Sequence, residues 1–266
     1  MKYIIDHDFH IHSQLSLCSN DEGQTTQAIL EYAKKNGFKK ICLTDHLWDD
    51  KIPGASGWYA PQNLEHIKKS LPLPQDENVK FYFGAETEMD KFMTLGCARE
   101  TIDELDFLVI PTTHLFIKGF TYFEEDNTLE RKIALWEERM HALLDKDLPW
   151  YKIGLAHSTC ISYAKYLDVD HVTLFSMIKD EVYGKAFARC AEKGLGVELN
   201  FNSLKYTKEE FNKILRPYRI AKECGCKFYF GSDAHHPEDL EYKKENFENI
   251  AENLNLTEDD KFHFPV

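Results

Sequence analysis

This sequence lacks long apolar runs and a leader-like segment, and its number of cysteines is not even. No apolar run approaches the roughly 20 residues that a membrane-spanning helix needs. The opening MKYIIDHDFH is interrupted by Asp6 and His7 and has no small-residue cleavage pattern. The seven cysteines are an odd number spread over residues 18–226, which is typical of reduced thiols. We therefore expect a water-soluble protein in the cytoplasm.

Positive charge is also scarce. The chain has 32 Lys and Arg against 45 Asp and Glu, a formal net charge of −13, and no sustained basic run. This balance argues against a groove for nucleic acid, which needs cations along several successive phosphates. Bound divalent ions would still attract a single phosphate at short range. The composition favours a small phosphorylated substrate, with neither nucleic acid nor membrane as a partner, and leaves the oligomeric state open.

Linkers, repeats and low-complexity tracts are absent, so we predict one domain over residues 1–266. Apolar runs of strand length alternate with segments that have apolar residues at helical spacing, which is typical of repeated βα units. Strands are expected near residues 4–9, 40–43, 80–84, 107–111, 151–156, 196–199 and 227–230. Helices are expected over residues 27–35, 129–144, 172–192 and 208–223. Seven such units fit a closed or nearly closed α/β barrel.

Histidines and carboxylates follow the predicted strands at their carboxyl ends. The first strand runs into His10 and His12, whose spacing directs both imidazoles to one face of an extended chain. Later strand ends bear Asp45, His46, Glu86, His114, His157, Glu198, Asn200, Asp233, His235 and His236. Because the carboxyl ends of parallel strands in a barrel open on one face, these side chains should converge. Such a set of donors predicts more than one metal ion.

The ordered series of motifs resembles that of the polymerase and histidinol phosphatase (PHP) family. Its most specific pieces are His10-Ile11-His12, Thr44-Asp45-His46 and Gly231-Ser232-Asp233-Ala234-His235, with Glu86, His114 and His157 in order between them. The resemblance covers nearly the whole chain. It implies a distorted (β/α)7 TIM-like barrel, a metal-dependent phosphoesterase, and two to three divalent transition-metal ions, namely zinc, manganese or iron.

The resemblance also implies how the ligands are shared. A first ion would be held by His10, His12, Glu86 and Asp233. Glu86 would bridge to a second ion that His114 and His157 complete. The third ion would be held by His46, His235 and one residue from the segment after His12, while Asp45 would orient a neighbouring ligand.

The last ligand of the third ion departs from the phosphatase pattern. Histidinol phosphatases commonly have a histidine about six residues beyond the second histidine of the opening motif, where this chain has Cys18. A Cys18 thiolate would favour zinc or iron. Asp21 is the competing ligand, since an acidic residue of this loop serves in other family members. A water molecule in place of both is the third possibility.

The favoured reaction is hydrolysis of a phosphate monoester, such as histidinol phosphate, by a water that the metal ions activate. Asp233, His235 or His46 is expected to protonate the leaving alkoxide. Glu198, Asn200 and His236 are candidates for contact with substrate or support of a ligand.

Lys118 and Arg219 are candidate cations for the phosphate.

Two alternative functions remain, an exonuclease or nucleotide phosphodiesterase of the same family and a non-catalytic metal-binding module. The near-complete ligand series argues against the module, because one structural ion needs only about four donors.

Overall fold

Seven parallel strands form the wall of a nearly closed barrel in residues 1–263, the part of the chain that the computed structural model describes. In chain order the strands are β1 (His7–Ile11), β2 (Lys40–Leu43), β3 (His46–Leu47), β4 (Lys80–Thr87), β5 (Phe107–Pro111), β6 (Ile153–Ala156), β7 (Gly196–Leu199) and β8 (Lys227–Phe230). The wall runs β1, β2, β4, β5, β6, β7, β8, with every neighbouring pair parallel. The short β3 pairs only with β4 within these residues and sets His46 opposite Glu86.

The seam between β8 and β1 closes the barrel through the segment that follows β8. The backbone N–H of Asp233 donates to the carbonyl oxygen of His10 at 2.7 Å, and that of His12 donates to Ala234 at 3.0 Å. The buried carboxylate of Asp8 accepts from the backbone N–H of Ser232 at 2.9 Å. Two of the three most specific motifs of the sequence, those of His10 and His235, are therefore fixed beside each other by main-chain hydrogen bonds.

Eight α-helices in the described residues surround the wall. They are α1 (Thr26–Asn36), α2 (Leu64–Ile67), α3 (Arg99–Glu104), α4 (Leu129–Leu144), α5 (His171–Met177), α6 (Asp180–Lys193), α7 (Lys208–Glu223) and α8 (Lys243–Asn253). Thr207 begins α7 with a capping box, and Gly37 and Gly194 end α1 and α6 with φ of 70° and 77°, a conformation that glycine adopts without steric cost. No helix in residues 1–263 has both the length and the apolarity to cross a bilayer.

Aromatic side chains fill the barrel interior below its carboxyl-end face. Phe9, Tyr82, Phe107, Tyr229 and Phe262 form this inner cluster together with Cys42, Val109 and Ala156. A larger apolar layer lies between the strands and the helices. The interior is therefore closed below the histidines, and the polar site is accessible only from the face where the strands end.

The predicted α/β barrel, with its single domain, is confirmed, and four strands have the predicted bounds. Residues 172–192 were predicted as one helix, but Ile178 is extended, with φ −69° and ψ 129°, and separates α5 from α6. Residues 175–183, around the break, contain neither glycine nor proline to signal it. The first strand begins at His7 and β4 continues to Thr87, so Glu86 lies within a strand.

Candidate metal centre

Four side chains from three parts of the chain point their donor atoms at one place. His10 and His12 come from β1 and the residue after it, Glu86 from β4, and Asp233 from the segment after β8; one ligand atom of each lies within 4.8 Å of all the others. We call these four residues group 1. His12 Nε2 lies 3.3 Å from Glu86 Oε2 and 3.2 Å from Asp233 Oδ1, and the Nε2 atoms of the two histidines are 3.1 Å apart.

In the His10 and His12 rings the Nδ1 atom has a hydrogen-bond partner, and this fixes the protonation of the Nε2 atom that faces the centre. Nδ1 of His10 lies 2.6 Å from Glu198 Oε1, and because a carboxylate only accepts, this nitrogen must donate. Nδ1 of His12 lies 2.9 Å from the Ser16 hydroxyl, which itself donates to Asp45 at 2.7 Å. In neutral rings with these tautomers, both Nε2 atoms present lone pairs to each other and to two carboxylate oxygens. These electron-rich atoms repel one another unless a cation lies between them, so the donor set fits a metal ion.

Two further groups adjoin the first. Group 2 consists of His114, His157 and Cys160, and group 3 of His12, His46 and His235; in each, one ligand atom per residue lies within 4.8 Å of the others.

The Glu86 carboxylate lies between the three groups. Its Oε1 is 3.1 Å from His157 Nε2 and 3.9 Å from His114 Nε2, whereas its Oε2 is 3.1 Å from His46 Nδ1. Although burial raises it, the pKa of Glu86 is held well below its usual range by the imidazoles, with His46 and His10 contributing most. The carboxylate is therefore ionised and oriented toward two groups at once, as a bridging ligand would be.

Buried carboxylates lie behind the ligand rings of His10 and His114. Glu198 binds the His10 ring and also accepts from the backbone N–H of His157 at 2.7 Å. Glu88 Oε2 lies 3.2 Å from His114 Nδ1, and Arg139 pairs with the other oxygen of Glu88 at 3.1 Å. Carboxylates behind ligand histidines set the ring orientation and raise its basicity.

Glycine is required at one point of this support. A Cβ atom at Gly231 would overlap the Glu198 carboxylate and the His10 side chain. Two non-glycine residues of the centre also have positive φ, His157 at 22° and Asp233 at 51°. Such backbone strain is concentrated at functional sites, where the surrounding structure imposes it.

Cys18 and Asp21 lie outside all the groups found in residues 1–263. Cys18 is exposed, although partial burial of its thiol and the charges of Glu86 and Asp233 raise its pKa. Asp21 Oδ2 lies 3.2 Å from Nδ1 of the half-exposed His236, so these two residues contact each other at the rim. Whether Cys18 or Asp21 completes the third site stays a prediction.

A cavity of about 440 Å³ opens beside the centre and is bordered there by His157, Cys160 and Asp233. Its further walls include Asn200, Asn202, His171, Tyr206 and Lys205, and Lys205 is the only Lys or Arg among its lining residues in the described chain. The candidate cations predicted from sequence lie elsewhere: Lys118 pairs with Glu124 at 3.1 Å and Arg219 donates to Asn212. Neither residue lines this cavity.

Sequence reasoning missed three features of this centre. Glu88 follows Glu86 by two residues and lies just beyond the end of β4, and this same-face spacing of an extended chain could have indicated it. Cys160 follows His157 by three residues, which alone carries little signal. Arg139, from the middle of α4, has no local signal, because only the tertiary fold brings it to Glu88.

Comparison with solved structures supports the fold. Histidinol phosphate phosphatase from Lactococcus lactis subsp. lactis, complexed with Zn, L-histidinol and phosphate, matches with a TM-score of 0.67 and 15% identity, over 96% of this chain and 95% of that one. A probable 2-pyrone-4,6-dicarboxylic acid hydrolase from Acinetobacter baumannii, with citric acid bound, matches with a TM-score of 0.50 and 13% identity, over 96% and 97%. No curated protein matches the sequence.

A family model gives the stronger result. The model of the PHP domain matches residues 8–202, which is more than half of the 266 residues. The matched stretch includes His10, His12, Glu86, His114 and His157. The predicted family is thereby confirmed. The chain belongs to the PHP domain family of metal-dependent hydrolases.

Proposed function

We propose that this chain hydrolyses a small phosphate monoester at a centre of two to three divalent transition-metal ions. The observation that carries the proposal is the meeting of the His10 and His12 Nε2 atoms, 3.1 Å apart, between the carboxylates of Glu86 and Asp233. Both rings are held as Nδ1 donors, so they present lone pairs that a divalent cation would bind. Six histidines in three adjoining groups are more than one structural ion needs.

The residues are assigned to the ions by group. Group 1 would hold the first ion, and Glu86, His114 and His157 the second. His46 and His235 would hold the third ion, with Cys18 or Asp21 as the candidate for a further ligand. Ions bound there would neutralise phosphoryl oxygens and lower the pKa of a bound water to roughly 7.

The cavity beside groups 1 and 2 would bind the alcohol portion of the ester. At about 440 Å³ it has the size of a small-molecule pocket. Asn200 and Lys205 line it and are the residues we assign to substrate contact. Asp233 borders the cavity and the metal groups together, so among Asp233, His235 and His46 it is our candidate for accepting a proton from the attacking water and passing it to the leaving alkoxide.

We extend the catalytic domain over residues 1–266, beyond the stretch matched by the family model. Two of the proposed ligands, Asp233 and His235, follow β8, which lies outside residues 8–202. The segment after this strand closes the barrel against β1 through main-chain hydrogen bonds. A chain ending at residue 202 would lack both the closing strand and two ligands, so we expect it neither to fold stably nor to bind the full set of ions.

A panel of phosphate esters tests the substrate class. We expect metal-dependent release of phosphate from small monoesters, with histidinol phosphate first in the panel because the Lactococcus enzyme binds L-histidinol and phosphate in a similar fold. Single-stranded DNA and bis-p-nitrophenyl phosphate belong in the same assays. A kcat/KM per phosphate that is higher on DNA than on the small monoesters, with steep salt dependence, would favour the exonuclease hypothesis. Full metal content with no turnover of any ester would favour a non-catalytic module.

A further inference from the structure

Group 2 has a sulfur donor that its neighbours lack. The turn after β6 is closed by the backbone N–H of Cys160 donating to His157 at 2.9 Å, which folds the cysteine back toward the histidines. As a result Cys160 offers a ligand atom within 4.8 Å of those of His114 and His157. The other groups found in residues 1–263 contain only histidine, aspartate and glutamate.

The surroundings of Cys160 suit a thiolate that binds an ion. The Ser162 hydroxyl lies 2.9 Å from its sulfur and can donate a hydrogen bond to it. His157 is only 3% exposed, and its Nε2 atom, which faces Glu86, is the nitrogen that the second ion would bind. Glu86 Oε1 lies 3.1 Å from His157 Nε2 and 3.9 Å from His114 Nε2 without being a member of group 2. As the carboxylate that bridges from group 1, it would bring the donors of the second ion to two nitrogens, one oxygen and one sulfur. Four such donors are the number that tetrahedral zinc requires.

We propose that Cys160 binds, as a thiolate, the second ion of the centre together with His114, His157 and Glu86. This inference rests on the proposed metal centre and goes beyond it in naming a ligand and a metal preference. Thiolate ligands select soft or borderline ions such as zinc over manganese and magnesium, which bind oxygen donors. The second site would therefore prefer zinc, whereas group 1, with nitrogen and oxygen donors only, would accept manganese or iron as well.

Cobalt substitution tests the sulfur ligand directly, because thiolate-bound cobalt(II) absorbs in the near ultraviolet through charge transfer and cobalt bound by nitrogen and oxygen does not. The full-length protein is stripped with chelator and reloaded with cobalt(II). All measurements are made in a Cys18→Ser background, so that any contribution from Cys18 is removed. We expect the charge-transfer band in Cys18→Ser and its loss in Cys18→Ser/Cys160→Ser, with ions still bound at the other sites.

The control variant is Cys18→Ser/Cys224→Ser, since Cys224 is half-buried at the C-terminal end of α7 and lies in no metal group of the described residues. It should keep the band. A band that survives the Cys160 change, or cobalt binding to Cys18→Ser without a band, would overturn the thiolate assignment and leave the metal centre standing. Failure of the wild-type protein to bind cobalt at all would overturn the centre itself.

A second measurement avoids the risk that the double variant fails to fold. Cys160 borders the cavity, so in wild-type protein an alkylating reagent should reach it. We expect iodoacetamide to modify Cys160 at least about tenfold more slowly in the zinc-loaded than in the chelated protein, because a metal-bound thiolate is a poor nucleophile. Modification of the exposed Cys18, read from the same peptide digest, reports separately on its own state. Equal labelling of Cys160 in both states would contradict the proposal.

Discussion

Glu198 and His10 form a hydrogen bond of 2.6 Å in which both side chains are fully buried. The bond fixes the His10 tautomer, because the carboxylate accepts from Nδ1 and leaves Nε2 with its lone pair toward Glu86 and Asp233. The second oxygen of Glu198 accepts from the backbone N–H of His157. One carboxylate thus orients a ligand of group 1 and fixes the main chain of a ligand of group 2.

The first prediction concerns this carboxylate. Glu198→Gln keeps the size of the side chain but removes the charge that favours His10 as a donor. We expect metal affinity to fall by about 10- to 100-fold, with kcat/KM falling at limiting metal and recovering in part at high metal. Competition with a metal-binding dye measures the affinity. Glu192→Gln, at an exposed position of α6, is the matched control and should behave as wild type.

The second prediction is that Glu86 serves two ions. Glu86→Gln removes a negative charge and an acceptor from groups 1 and 2 together, so metal content and turnover should fall in parallel while the circular dichroism spectrum is retained. Elemental analysis after reconstitution and gel filtration gives the metal content. Glu65→Gln, at an exposed glutamate, provides the control. Normal activity of Glu86→Gln would remove this residue from the centre.

The convergence of the histidines could be predicted from sequence because it follows from topology. Once the strands are read as parallel, His10, Glu86 and Asp233 must meet, since all lie at or just beyond the carboxyl ends of strands. The pairing of Glu88 with Arg139 could not be predicted in this way, because it depends on where α4 packs. The break at the extended Ile178 between α5 and α6 could not be predicted either, because the helical spacing of apolar residues continues through it.

The third prediction concerns Arg139 and Glu88, whose side chains are both fully buried and pair at 3.1 Å. Glu88→Gln leaves the guanidinium without a counter-charge, and we expect it to lower the free energy of unfolding by about 3 kcal/mol, measured by urea titration with chelator present. The exposed pair of Arg131 and Glu138 is the control, since Glu138→Gln should cost no more than about 1 kcal/mol. Equal costs for the two variants would show that the buried pair is not a structural support.

Glu88 Oε2 also lies 3.2 Å from His114 Nδ1, so we expect its variant to affect the second ion. If the carboxylate orients the ring, Glu88→Gln should weaken zinc binding at group 2 even at low urea, where the protein is folded. Loss of stability with unchanged zinc affinity would limit Glu88 to a role in packing.

The fourth prediction separates Cys18 from Asp21 as a ligand of the third ion. Cys18→Ser should lower the metal content at fixed pH, because serine is a far poorer ligand than a thiolate. Asp21→Asn should leave it unchanged, since Asp21 accepts from the backbone N–H of Gly23 at 2.8 Å and contacts His236 at the rim. If only the Asp21 change loses metal, the ligand is Asp21.

The last prediction is a pH dependence of stability that arises from Lys132. This buried lysine on α4 donates to the carbonyl oxygens of Tyr163 and Lys165 at 2.9 and 3.0 Å, and so anchors the segment that follows Cys160. Burial lowers the pKa of Lys132 from 10.5 to about 8.

Between these two pKa values the unfolded chain binds more protons at this position than the folded chain does, so stability from Lys132 rises with pH and is lowest at neutral pH. The comparison is wild type against Lys132→Met, which lacks the titrating group. Urea titrations at each pH measure the free energy of unfolding of both proteins. Between about pH 7 and about pH 10, the value for wild type minus the value for the variant should increase by up to about 3 kcal/mol. A difference that stays constant over this range would mean that the carbonyl oxygens keep Lys132 charged despite its burial.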